Sequence, residues 1–116
     1  RPKPKEHGMG NQIEGFYEKG QQVLVIEDLI STGKSSLQVC DVLQQAGLNV
    51  VGMVSIFNYG FEQAASAFKA AGIPLYSLTN YEVLIQLAVE NGTVDENQLN
   101  NLLKWREDPA AWGLNP

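Results

Sequence analysis

Two short apolar runs constrain this chain more than anything else in it. Val23-Leu24-Val25-Ile26 and Val50 to Phe57 carry almost no polar residue, the pattern of strands buried on both faces of a parallel sheet. Each run is followed by residues at helical spacing. From about Gly33 to Ala46, Leu37, Cys40 and Leu43 share a face beside Val39 and Ala46, and Gly47 suits the helix C-cap. Phe61, Ala64, Ala65 and Phe68 form a second stripe that ends at Gly72, before Pro74. Leu75 to Leu78 reads as a third, shorter strand. Asn80 is a candidate N-cap for a helix through Asn91, with Tyr81, Leu84 and Ala88 as its stripe and Gly92 as its end. Thr93-Val94-Asp95-Glu96 has capping-box spacing and opens a last helix with Leu99, Leu102 and Leu103 on one face. Strands alternating with helices over short connections predict an α/β fold, an open parallel sheet flanked by helices. Ligands of such sheets bind beyond the carboxyl ends of the strands, so the residues after Ile26 and Phe57 are the ones to examine.

Composition sets the remaining bounds. With 116 residues, 44% of them hydrophobic, the chain suffices for one ordinary domain and is too apolar for wholesale disorder. The lone Cys40 excludes a disulfide-stapled fold and reads as a structural thiol on a helix. Val50 to Phe57 is far too short to span a bilayer, so no membrane partner is expected and the cytoplasm is the default location. The chain begins at Arg1 without an initiator Met or a signal-like apolar segment, and is expected to continue a longer polypeptide. Arg1, Lys3, Lys5 and His7 crowd the first seven residues with only Glu6 against them. Residues 8–116 hold five Lys+Arg against twelve Asp+Glu, a formal −7. An acidic body repels nucleic acid, and the short basic arm is matched instead to one small polyanion.

After Ile26 the chain reads Glu27-Asp28-Leu29-Ile30-Ser31-Thr32-Gly33-Lys34-Ser35 and turns into the helix. Thr32, Gly33 and Ser35 put small side chains, hydroxyls and successive backbone amides at a helix N-terminus, where the macrodipole and unpaired N–H groups favour phosphate. Glu27 and Asp28 do not bind phosphate; carboxylates suit sugar hydroxyls or a divalent cation. Sugar and phosphate together suggest a phosphoribosyl group. The plainer alternative is a solvated strand end followed by a helix cap. Thr32-Gly33-Lys34-Ser35 also matches the end of a nucleotide-binding P-loop, but that pattern needs Gly where Asp28 stands, and a carboxylate there would oppose a triphosphate.

The segment Glu27 to Ser35 resembles the phosphoribosyl pyrophosphate signature of type I phosphoribosyltransferases. Together with Arg1-Pro2-Lys3-Pro4-Lys5-Glu6-His7-Gly8, it is similar to the bacterial orotate phosphoribosyltransferase family over the whole chain, as a C-terminal portion of members about twice as long. The resemblance implies a type I phosphoribosyltransferase-like core, incomplete at its N-terminus, with residues 1–22 as basic catalytic loop and lead-in, 23–108 as core and 109–116 as an irregular tail. It implies transfer of a phosphoribosyl group from phosphoribosyl pyrophosphate to orotate with Mg²⁺ as cofactor, no residue of the chain being assigned as a metal ligand. Lys5, His7 and Asp28 are implied as catalytic. Arg1, Lys5, His7, Glu27, Asp28, Leu29, Ile30, Ser31, Thr32, Gly33, Lys34 and Ser35 are implied as substrate-binding, Ser31 also touching the orotate. The basic loop would act across a homodimer, on the neighbouring subunit's site.

The chemistry agrees with that implication, because departure of pyrophosphate leaves positive charge on the ribosyl carbon, which nearby carboxylates stabilise while cations hold the leaving group. Some family members carry an Arg just after the next strand to bind the base, where this chain has Asn58-Tyr59-Gly60. A transferase for another base, or a non-catalytic phosphoribosyl pyrophosphate sensor, therefore stays open beside the orotate reading. Phe61, Phe68, Trp105 and Trp112 read as packing residues. Absent strands would leave an edge and apolar faces exposed, so the isolated chain is expected to be weakly stable or to self-associate.

Overall fold

The computed structural model describes residues 12–111. Three parallel strands, β1 (Gln22–Ile30), β2 (Asn49–Asn58) and β3 (Leu75–Asn80), lie side by side in chain order. Four helices connect and follow them: α1 (Lys34–Gln45), α2 (Glu62–Ala71), α3 (Tyr81–Glu90) and α4 (Glu96–Glu107). The predicted class is the observed one.

Side chains alternate across a strand, so one set of positions from β1 and β2 meets α1 and α2. Val25 and Met53 are register partners, and they cluster with Cys40 of α1 and with Ala64 and Phe68 of α2. Ile30 and Ile73 complete this core, and Leu37, Val39 and Leu43 pack at its margin. The fully buried Ser55 hydroxyl pairs with that of its register partner Ser77, on the exposed strand β3, at 2.6 Å, which satisfies a polar group that burial would otherwise penalise.

Several boundaries differ from the sequence expectation, each for a physical reason. β1 does not stop at the acidic pair. Ten-residue β2 extends alongside it, and pairing continues through Glu27 with Ser55, Leu29 with Phe57 and Ile30 with Asn58. Ladder bonds thus outweigh the low strand propensity of two carboxylates. Ala65 faces solvent, the buried face of α2 being Ala64 and Phe68. In α3 the buried pair is Tyr81 and Ile85, one full turn apart, and Leu84 is half exposed. The capping box of α4 sits two residues later than the spacing suggests: Asp95 is the N-cap, with Gln98 reciprocating. Thr93 and Val94 both donate to the Ala88 carbonyl and are spent in closing α3, so Asp95 is the first residue free to cap. Pro109–Ala111 form a 3-10 turn where an irregular tail was expected.

Candidate functional site

The carboxyl ends of β1 and β2 bring together the loop 31–33 and the turn 58–60. The Tyr59 N–H donates to the Ile30 carbonyl at 3.0 Å, which ties the exit of one strand to the exit of the other. Gly33 makes the turn into α1 possible. Its φ of +82° lies in the left-handed region, and a Cβ there would stand 2.9 Å from Phe68 Cε2, so both backbone conformation and space call for glycine.

Beyond Gly33, α1 opens without a side-chain cap and without an acidic residue in its first turn. The Thr32 hydroxyl reaches only the Lys34 N–H, at 3.4 Å. Asn80 caps α3 at the Val83 N–H and Asp95 caps α4 at the Gln98 N–H, while α2, which also lacks a side-chain cap, carries Glu62 in its first turn; α1 has neither. An uncapped first turn presents N–H groups and the positive end of the helix dipole to an anion, and Lys34 at the first helical position adds a cation. Ser31, Thr32, Lys34 and Ser35 are exposed around this opening.

The strand separates the two carboxylates that the sequence places side by side. Glu27, on the same face as Val25, is half-buried under α1, and its Oε2 accepts a hydrogen bond from Ser36 Oγ at 3.0 Å. Asp28 is exposed, its Oδ1 taking the Leu29 N–H at 2.7 Å. Leu29 is partly exposed at the rim. Ile30 is fully buried in the core with its carbonyl held by Tyr59, so its side chain has no access to a ligand at this site. Ser36, buried on the first turn of α1, is the site neighbour that the sequence reading passed over. Its signal was the four-residue step from Ser36 to Cys40 along one helix face. Arg1, Lys5 and His7, with Lys3 beside them, lie outside the described residues, as does Trp112.

Next to the loop lies a cavity of about 520 Å³ walled by Ser31 and Thr32 on one side and Tyr59, Phe61 and Trp105 on the other. Tyr59 is the centre of its wall: its ring stacks on Phe61 at 5.3 Å, with Phe57 edge-on at 5.2 Å and Trp105 at 5.9 Å. Tyr81 closes the group from α3 and donates to the Leu102 carbonyl, and burial pushes its phenol pKa up. Packing was the expected role of Phe61 and Trp105, and the ring contacts agree. The cavity rim is acidic, with Glu62, Glu107 and Asp108 against Arg106, whose guanidinium is already paired with Glu82. A phosphate is therefore better served by the loop amides than by this cavity. Among the described residues no group of three His, Cys, Asp or Glu side chains could hold a metal ion, and no helix is long and apolar enough to cross a membrane.

Comparison with known proteins adds relatives to this geometry. No family model matches the chain. It is 53% identical over 112 residues to an orotate phosphoribosyltransferase of Cytophaga hutchinsonii, covering 97% of this chain and 54% of that protein. Among solved structures it is similar to UMP synthase of Leishmania donovani, with a TM-score of 0.70 and 26% identity over 80% of this chain and 21% of the other. Orotate phosphoribosyltransferase of Mycobacterium tuberculosis in complex with 5-phospho-α-D-ribosyl 1-diphosphate aligns with a TM-score of 0.53 and 36% identity, over 58% of this chain and 41% of that one. The chain spans about half the length of the curated relatives it matches, in keeping with its reading as a C-terminal portion.

Proposed function

Because the chain belongs to the orotate phosphoribosyltransferase family, we propose that it carries the phosphoribosyl pyrophosphate site of an enzyme that makes orotidine 5′-monophosphate and pyrophosphate from orotate and phosphoribosyl pyrophosphate. The observation that carries this reading is the opening of α1: its N-terminus has neither a side-chain cap nor a first-turn acid, it follows a glycine that admits no side chain, and Glu27 and Asp28 stand at the strand end just before it. The 5′-phosphate would sit on the amides and hydroxyls of residues 31–35, and the ribose hydroxyls would meet the carboxylates.

In the reaction the bond between the ribosyl carbon and pyrophosphate breaks as a ring nitrogen of orotate bonds to that carbon. Positive charge gathers on the ribosyl carbon between these events, and a carboxylate such as the exposed Asp28 lowers the cost of that charge. Lys5, His7 and Arg1 would hold the departing pyrophosphate, acting across a homodimer. Mg²⁺ fits the donor chemistry, since both carboxylates offer hard oxygens, each with one oxygen already engaged by a protein donor. With no ready-made carboxylate cluster among the described residues, the ion would be held chiefly by the substrate's own oxygens. We place the reaction in the cytoplasm.

Thermal unfolding tests the reading, because a ligand that binds only the folded state raises the midpoint. At a hundredfold excess over Kd, Mg²⁺ with phosphoribosyl pyrophosphate should add about 2.7 kcal/mol, roughly ten degrees for a domain of this size. Mg²⁺ with ATP should add nothing. Stabilisation by ATP alone would overturn the reading in favour of a P-loop-like site.

A further inference from the structure

We propose that Ser36 is a positioning residue that holds Glu27 ready for the ribose, an inference that rests on the phosphoribosyl reading of the site. The two side chains come from elements that the fold stacks, β1 below and the first turn of α1 above. Ser36 is 3% exposed, so its hydroxyl has little water to turn to, and its bond to Glu27 Oε2 at 3.0 Å is charge-assisted. Among the described residues no donor reaches Glu27 Oε1. One oxygen is thus anchored to the helix while the other stays available to accept a sugar hydroxyl.

Asp28 shows what Glu27 would be without this anchor. It is exposed, and among the described residues its carboxylate is bonded only by the N–H of the next residue in the chain. Cys40 lies one turn beyond Ser36 on the same buried face of α1. Its thiol pKa is raised by burial first of all, and the Glu27 charge adds to that rise. A free glutamate loses rotamer freedom when it engages a ligand, whereas one fixed beforehand has already lost it during folding, so binding is favoured.

The test is a double-mutant cycle on phosphoribosyl pyrophosphate affinity in the presence of Mg²⁺, measured by calorimetry in the complete polypeptide carrying this chain. Ser36→Ala should weaken binding about tenfold, in the range for loss of a hydrogen bond to a charged group. In a Glu27→Ala background the same substitution should change affinity less than about twofold, because nothing remains to be positioned. Ser36→Thr keeps the hydroxyl and should recover most of the affinity. An equal loss in both backgrounds, or no loss in either, would overturn the inference and leave Ser36 a helix residue only. If the unsubstituted protein does not bind phosphoribosyl pyrophosphate, the reading of the site falls and this inference falls with it, an outcome visible before any variant is made.

Discussion

The two faces of the sheet are built from neighbouring residues and meet opposite surroundings. Val25 is 9% exposed and Ile26, the next residue, 69%; Ser55 is fully buried and Ile56 is 56% exposed. On the covered side α1 and α2 supply Cys40, Ala64 and Phe68 to the core. On the other side Leu24, Ile26, Ile56, Tyr76 and Leu78 form an apolar surface that the described residues leave open. A sheet that ends its life half-solvated shows alternating polar and apolar positions; this one is apolar on both faces, the composition of a sheet covered twice. The chain spans about half the length of its relatives, and the described residues cover one of those two faces.

The sharpest way to break this comparison is to cut into both faces. Phe68→Ala, under the covered face, should cost about 3–5 kcal/mol in urea denaturation, whereas Leu78→Ser on the open face should cost less than about 0.5 kcal/mol. The latter should also reduce self-association in sedimentation experiments. Equal costs would mean that the open face is covered after all. A smaller effect is expected at the junction of the covered face with the site. Gly33→Ala forces a side chain into left-handed backbone and against Phe68, and should cost about 1–3 kcal/mol together with loss of phosphoribosyl pyrophosphate binding. Retained affinity would show that the loop does not need that turn.

The mildest effect belongs to pH. The Cys40 thiol pKa is raised on the covered face by burial, and by the Glu27 charge after it. A raised pKa means the unfolded thiol ionises first. Stability is therefore fully present below the ordinary thiol range and falls as pH climbs through it toward the folded value. Cys40→Ala should flatten that alkaline slope, leaving the share of Tyr81, whose phenol pKa burial also raises. Urea midpoints between pH 7 and 11 would show it, and an unchanged slope would place the thiol outside the core.

Much of this fold was legible because local signals and tertiary packing agree. The apolar runs, the glycines after α1, α2 and α3 and the Asn80 cap all act within a few residues, and each lies where its chemistry suggested. Legibility failed where a partner distant in sequence decides. β1 runs past its acidic pair because β2 pairs with it, and Ile85 displaces Leu84 from the buried face of α3 because packing selects among several apolar residues. The site shows the same division. The loop 31–35 could be read from its small and polar residues, whereas the separation of Glu27 from Asp28 depends on a strand continuing through both, and the Ser36 bond depends on how α1 lies over that strand.

The ring cluster around Tyr59 has an optical consequence. Trp105 lies within 6 Å of Tyr59 and of Tyr81, close enough for light absorbed by either phenol to be re-emitted by the indole. Those rings come from the turn after β2, the start of α3 and the end of α4. In a Trp112→Phe variant the emission of Trp105 is therefore a built-in gauge of whether these three segments are docked, read without any added label.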